Sequence, residues 1–494
     1  MQMQILQILL VPLVFVFITY YAGNKWGSKA GYLSFIALAY STFLTLVAGW
    51  QSGGQEFYDW SPIGLFGLKL DGLSIPILFI IELLCTLMSL YSIPYMAHII
   101  GEKTKQFGLY YALLLLYSVG MMGAVMATNL IEFYLFFELM LIPSYFLIAR
   151  WGYGDRDRIS FMYFMWTHIG ALSFLAGILW LGFLAGTPGQ PIFDLGKIVA
   201  STIPQDLRLW VTVLMVVGLL VKMAAFGLHI WLPYTHAEAP TPISALLSPA
   251  MIGIGGYAIV RIVMSTLPTA FFQISLALTI WAVVTMLYGG AMALVQDDVK
   301  RLLAYSSISQ MGYILLGISS FQILGVSGSM LQYVSHGLGK GILFMVAGAI
   351  ILQTHGLRSI SRMGGLASKM PITTTAALLG FLTIMGIPPT TGFISEFLIF
   401  AGNFNEGFAV GSMLRVALSA LAVISTVLTA GYSLWAVKRI FFGPLPADLN
   451  SVTEAPWTIT GPLLVLGSIS LVIGIFPDLV EGLLLPAVKL ILGG

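Results

Sequence analysis

Six ionisable side chains stand in apolar sequence, where charge is costly. Glu138 lies in FYLFFELMLIPSYFLIA, Lys222 and His229 in LLVKMAAFGLHIWL, His336 and Lys340 in SHGLGKGILF, and Glu396 in GIPPTTGFISEFLIF. A lysine at the centre of a bilayer costs about 3 kcal/mol on insertion scales, so such a residue calls for a reason. Carboxyl, ammonium and imidazole groups change their proton affinity with burial and with the charge of their neighbours. Spaced along one path, they can pass protons. The competing reading is a set of fixed structural ion pairs, or long side chains reaching the interface. Lys222 and His229 are seven residues apart, two turns on one face and about 10 Å along an unbroken helix. His336 and Lys340 stand at i and i+4, and Gln332 extends that polar stripe by one turn.

The elements that position these residues follow from composition. Hydrophobic residues make up 58% of the 494 and charged residues only 9%, far below the roughly 25% charged of a soluble domain. Apolar runs near the ~20 residues that cross a bilayer as a helix recur along the whole length. They lack the period-two alternation of barrel strands. The expectation is an all-α integral membrane protein with about 14 transmembrane helices. Pro388 and Pro389, with Gly386 and Gly392, interrupt the helix that precedes Glu396; Pro233, Pro240 and Pro242 follow Lys222. Two interrupted, charged helices in the two halves of a chain point to a repeat-built transporter. Pro143 loosens the backbone near Glu138.

Most of the lysines and arginines, among them Lys25, Lys29, Arg150, Lys300, Arg301, Arg358, Lys438 and Arg439, fall in loops on one side, here side A. The smaller set, including Lys69, Lys197, Arg208, Arg261 and Arg415, falls on side B. Side A is expected to face the cytoplasm or its equivalent, with both termini away from it. The net charge of +2 is spread over two faces and offers no nucleic-acid patch. The loops are too short for a soluble cofactor domain, and Cys85 is the single cysteine. No cofactor is expected in this chain, no iron–sulfur cluster and no zinc site. Catalytic and metal-ligating residues are accordingly expected to be absent. His168 reads equally as a satisfied core histidine or a functional one, while His98, His236 and His355 fall near loops, as solvated or anchoring groups. Glu132, beside a Thr-Asn turn, reads as structural; Glu82 has no visible partner.

Five segments in order, FFELMLIPSYFLI, VKMAAFGLHIWLPYTHAEAPTPISALLS, QDDVKRLLAYSSISQMGYILLGI, SHGLGKGILF and GIPPTTGFISEF, resemble the antiporter-like subunits of respiratory complex I. The likeness covers roughly residues 108 to 442 and is strongest to the subunit M, or mitochondrial subunit 4, type. Mrp-type cation/proton antiporters and membrane-bound hydrogenases carry related chains. The resemblance implies two inverted five-helix repeats with broken seventh and twelfth helices. The domains are then residues 1–107, 108–265 for the first repeat, 266–443 for the second, and 444–494. It also implies that Glu138 and Lys222 form the acid–lysine pair of the first repeat, that His336 and Lys340 lie on a central polar axis, and that Glu396 is the ionisable group of the second broken helix. Asp297 and Asp298, in DDVKR, would be structural at a helix start. Where the family carries a lysine in its eighth helix this chain has Gly253, so the central link would run through water or Lys340. The implied function is a proton-translocating membrane-arm subunit of a redox-driven complex, working with other membrane subunits in a bilayer; the alternatives are a subunit of a sodium/proton antiporter or of a membrane-bound hydrogenase.

Overall fold

In hydrocarbon each backbone N–H and C=O must find its partner within the protein, which leaves helices as the spanning element for sequence of this kind. The computed structural model describes residues 4–50, 53–101, 104–200 and 203–493. Among them, eleven stretches are long and apolar enough to cross a membrane. The first, Gln4–Gly49, holds two helices, α1 (Gln4–Trp26) and α2 (Gly31–Trp50). There follow α3 (Ser74–Ile100), α4 (Thr104–Met126), α5 (Leu130–Trp151), α6 (Arg156–Ala185), α7 (Gln205–Lys222) and α8 (Trp231–Glu238). The rod Thr241–Met264 combines α9 (Thr241–Leu246) and α10 (Ile254–Ala258) with two π-helical stretches, Leu247–Met251 and Ile259–Met264. The second half comprises α11 (Pro268–Leu294), α12 (Val299–Ser319), α13 (Ile323–Gln353), α14 (Pro371–Ile384), α15 (Thr391–Ala409), α16 (Met413–Phe441), α17 (Trp457–Ile475) and α18 (Asp478–Ile491).

The rod and the greater part of α13 are buried from lipid and water alike. α13 packs against α3, α9, α12, α14, α15 and α17, so its polar side chains sit at the centre of the molecule. Helix starts carry their own acceptors. Asn129 caps α5 through Ile131 N and Glu132 N, and Asp298 caps α12 through Lys300 N and Arg301 N. Asp298 also holds Arg358 at 2.6 Å, and Asp297 accepts from Ser359 and Ser361, so this acidic pair fastens the side-A end of α12.

Two features depart from the sequence reading. A two-stranded antiparallel hairpin, β1 (Gly54–Trp60) and β2 (Gly64–Leu70), lies on side B. Glu56 in β1 accepts from Ile5 N and Leu6 N, both at 3.0 Å, and so caps α1. The C-terminal tail forms α18, whose Glu481 is buried and accepts from Ser327 of α13 at 2.5 Å. Asp71, after β2, is gripped by Arg261 of the rod at 2.8 and 2.5 Å, with Lys69 at 3.1 Å. Burial pushes the Asp71 carboxyl up, but the Arg261 guanidinium and Lys69 outweigh it and hold it well below the usual carboxylate range.

Candidate functional site

α7 stops at Lys222, and the chain runs as irregular backbone until α8 begins at Trp231. Ala224 and Gly227 take φ of +53° and +83° there. The freed backbone groups are all the more costly at this depth, and side chains meet them. Thr285 accepts from Phe226 N, Trp281 donates to the Phe226 carbonyl, Trp166 to that of Leu228 and Trp231 to that of Val221. Lys222 and His229 therefore do not share a continuous helical face, contrary to the spacing argument. His229 sits inside the break, where Nδ1 accepts from Gly227 N at 3.1 Å and Nε2 meets the Tyr288 hydroxyl at 3.2 Å.

Lys222 is buried, and its ammonium lies 4.9 Å from the centre of the Phe137 ring, one residue before Glu138. Glu138 is not within ion-pair distance of it. The Glu138 partner is His168 of α6, whose Nδ1 lies 3.0 Å from Oε2, while Oε1 has no partner. With side chains 32% and 15% exposed, His168 and Glu138 sit at the outer face of the bundle, so His168 is not a core histidine. The acid that looked isolated in sequence, Glu82, accepts from Thr45 at 3.0 Å, and Glu132 accepts from Gly67 N at 3.1 Å.

The second break runs from Met385 to Thr390, between α14 and α15. Gly386 takes φ +63°, and a Cβ there would stand 2.6 Å from Oε2 of Glu396, so the carboxylate leans against bare backbone. Oε1 of Glu396 is buried without a partner. On α13, Lys340 donates to the Leu303 carbonyl at 3.2 Å and to Ser306. One turn further along α12, Gln310 accepts from Gln332, and Gln332 accepts from Ser395, next to Glu396. Gln310 also donates to the Ile384 carbonyl at 3.2 Å, the end of α14. Lys340 and the hydrogen bonds that reach the helix break holding Glu396 thus lie one turn of α12 apart. His336 lies one turn before Lys340, with Nε2 unpartnered.

Sequence reasoning missed two groups here. His236 is not solvated: it is 0% exposed in α8, stacked on Phe344 of α13 at 4.7 Å, and both ring nitrogens lack a partner. Lys300, assigned to a side-A loop, is buried and donates to the Ala239 carbonyl. His98 and His355 are exposed, as their loop positions suggest, with rings 6.4 Å apart. The signal for His236 was available, since it falls at i+7 from His229 in an apolar run, but the prolines around it disguised α8 as a loop. Gly253 has its own reason. A Cβ there would stand 2.1 Å from the Tyr333 ring of α13, which fills the space a longer residue would need, and the Tyr333 hydroxyl donates to the Ala250 carbonyl.

Buried donors and acceptors that lack partners are rare and mark places where water or mobile protons belong. Among the described residues such atoms include Glu138 Oε1, both nitrogens of His236, His336 Nε2 and Glu396 Oε1, alongside others elsewhere in the bundle such as Glu82 Oε2, Glu132 Oε1 and Glu406 Oε1.

Comparison with known proteins gives two family matches. Residues 127–425 match the family described as NADH:quinone oxidoreductase/Mrp antiporter, transmembrane, and residues 60–107 the N-terminus of complex I chain 5. The F420H2 dehydrogenase subunit M of Methanosarcina mazei is 33% identical over 462 residues, covering 90% of this chain and 89% of its own. An NAD(P)H-quinone oxidoreductase chain 4 of Synechococcus elongatus is 34% identical over 435 residues, covering 85% and 78%. A chain of respiratory complex I from Thermus thermophilus superposes with TM-score 0.86 at 28% identity, with all of both chains covered. A chain of the Mrp complex from Dietzia superposes at 0.87 with 21% identity, covering 100% of this chain and 98% of its own, a likeness of fold.

Proposed function

Because the chain belongs to the NADH:quinone oxidoreductase/Mrp antiporter transmembrane family, we propose that it is a proton-translocating membrane subunit of a complex I-like, redox-driven pump. It carries protons along a row formed by Glu138, Lys222, His229, His336, Lys340 and Glu396. His236 joins this row as a seventh member, between α8 and the centre of α13. The observation that carries the reading is Lys340, a lysine buried at the middle of the molecule and bonded to Ser306, one turn of α12 before the Gln310–Gln332–Ser395 hydrogen bonds that reach the break at Glu396. An ion pair serving stability alone would hold an acid against that ammonium; Lys340 has neutral oxygens instead.

The chain crosses the membrane about fourteen times. Eleven apolar stretches, the first counted as two helices, are joined by the α7–α8 and α14–α15 crossings, whose charges and breaks depress their apolar character. Residues 108–265 and 266–443 form inverted repeats, each with one interrupted helix. Both termini face away from the cytoplasmic side, and protons enter from side A and leave on side B. The driving energy arrives from neighbouring subunits as electrostatic or conformational coupling.

The test is Lys222→Arg in the assembled complex. Guanidinium keeps its proton where an ammonium can release it, so translocation falls while assembly persists. Full translocation by that variant refutes the assignment of Lys222. Copurification separates the redox complex from an Mrp-type antiporter, since only the former brings flavin and iron–sulfur subunits with the chain.

A further inference from the structure

The buried face of α15 continues past Glu396 to the side-B end of the helix. It passes Ile399, then Asn403, and reaches Glu406, ten residues and roughly 15 Å along the axis from Glu396. Glu406 is 3% exposed. Its Oε2 accepts from Gln322, in the α12–α13 turn, at 2.6 Å, and its Oε1 is buried with no partner. Arg415, at the start of α16, is 5% exposed and donates to Ser275 at 2.5 Å and to the Ser319 carbonyl at 3.3 Å. It is near enough to Glu406 to attract it electrostatically, yet makes no direct ion pair with it. A buried acid with one oxygen unpartnered, held close to a cation that does not neutralise it by contact, is expensive for stability alone. The same arrangement suits a group that takes up and releases a proton. Between the two acids, Asn403 donates to the carbonyls of Leu316 and Ile399 at 2.9 and 3.0 Å, and Ile399, fully buried, is the large apolar side chain on the buried face of α15 between them.

We infer that Glu406 is the last proton-holding side chain on the path to side B: it receives through water the proton released by Glu396, past Ile399 and Asn403, and passes it to water on that side. The transfer moves one proton from the Glu396 carboxylic acid to the Glu406 carboxylate and then to water; Glu406 ends as the carboxylate it began as, and Glu396, left as a carboxylate, takes its next proton from the Lys340 side of the row. Arg415 is a positioning residue, held near Glu406 by Ser275 and the Ser319 carbonyl. Ile399 is the dry segment that stops back-flow when no water threads it. The inference rests on the reading of Glu396 as a proton carrier.

The experiment compares Glu406→Gln, Glu406→Asp and Glu396→Gln in the complete complex, sealed in vesicles, reading protons released per electron pair with a pH-sensitive dye. Glu406→Gln is expected to lower the ratio as far as Glu396→Gln does, and Glu406→Asp to restore more than half of the loss, a rescue that a purely structural role would not produce. If Glu406→Gln keeps the wild-type ratio while Glu396→Gln lowers it, the inference is overturned and the proposed function stands. If neither lowers it, Glu396 is no carrier and both fall. Should Glu406→Gln fail to assemble, Ile399→Ala decides. A severalfold rise in passive proton leak without electron donor supports the path, and an unchanged leak overturns it.

Discussion

Replacing His168 by phenylalanine would strip Glu138 of the hydrogen bond that fixes its carboxylate. The ring volume is largely kept, so the packing against Phe164, whose ring stacks on His168 at 5.5 Å, survives. The bond lost is 3.0 Å long and can be charge-assisted. Such bonds contribute roughly 1.5–3 kcal/mol, and partial exposure of this pair argues for the lower figure. At ~1.4 kcal/mol per factor of ten, the population of correctly aimed Glu138 falls about tenfold. Proton translocation by the assembled complex should slow by about the same factor, measured as dye-reported acidification in vesicles at matched electron-transfer rates. His168→Gln, which can still donate to the carboxylate, should keep most of the rate. Wild-type translocation by His168→Phe in an intact complex would refute the claim that this pair orients the acid. Equal loss in both variants would show that His168 itself carries the proton.

Three further outcomes follow from the geometry. Gly253→Lys, which would restore a lysine in the eighth crossing, meets the Tyr333 ring and should lower the thermal stability of the complex by an overpacking cost of about 1–3 kcal/mol; Gly253→Lys with Tyr333→Ala should recover part of it. Equal stability of both variants in a melting assay would show that Tyr333 yields freely. Asp71→Asn should destabilise the side-B clamp by about 2 kcal/mol, because Arg261 loses its charged partner. Since the folded Asp71 carboxyl lies below its unfolded value near 4, that stabilisation is fully present above pH ~4 and is lost only as pH falls below it. The penalty measured by thermal unfolding should therefore match at pH 7 and pH 5 and shrink only under stronger acid; a penalty that already fades between pH 7 and 5 contradicts the assignment. His236→Leu, which fills the same space with an apolar side chain, should slow translocation severalfold without loss of assembly, and an unchanged rate would remove His236 from the row.

Much of the candidate site was legible because membrane sequence has so few reasons to hold a charge. Glu138, Lys222, Lys340 and Glu396 stand out in runs otherwise free of Asp, Glu, Lys and Arg, and the prolines beside Glu396 announced its helix break. Polar groups near the ends of helices were harder to read. Lys300 and Glu406 sit where a span gives way to a loop, and sequence cannot say whether the inner or outer face of the last turn carries them; both prove buried. Partner choice was harder still. The charge signs suggested Glu138 with Lys222, but the crossing of α5 and α6 brings His168 to the carboxylate first. The break after Lys222 was only half visible, because Ala224 adopts a left-handed conformation without a glycine to signal it. The side-B hairpin had a turn signal in SPIG between two strand-like runs, overlooked in a chain dominated by helical spans.

The central claim is that protons cross the middle of this chain through Lys340. The most direct measurement is the number of protons translocated per electron pair by the purified complex in sealed vesicles, with wild-type chain and with Lys340→Met, whose side chain has similar length but no proton to exchange. The account predicts an assembled complex whose proton-to-electron ratio falls by the whole share carried by this subunit. An unchanged ratio, with Lys340→Met present in every complex, would contradict it.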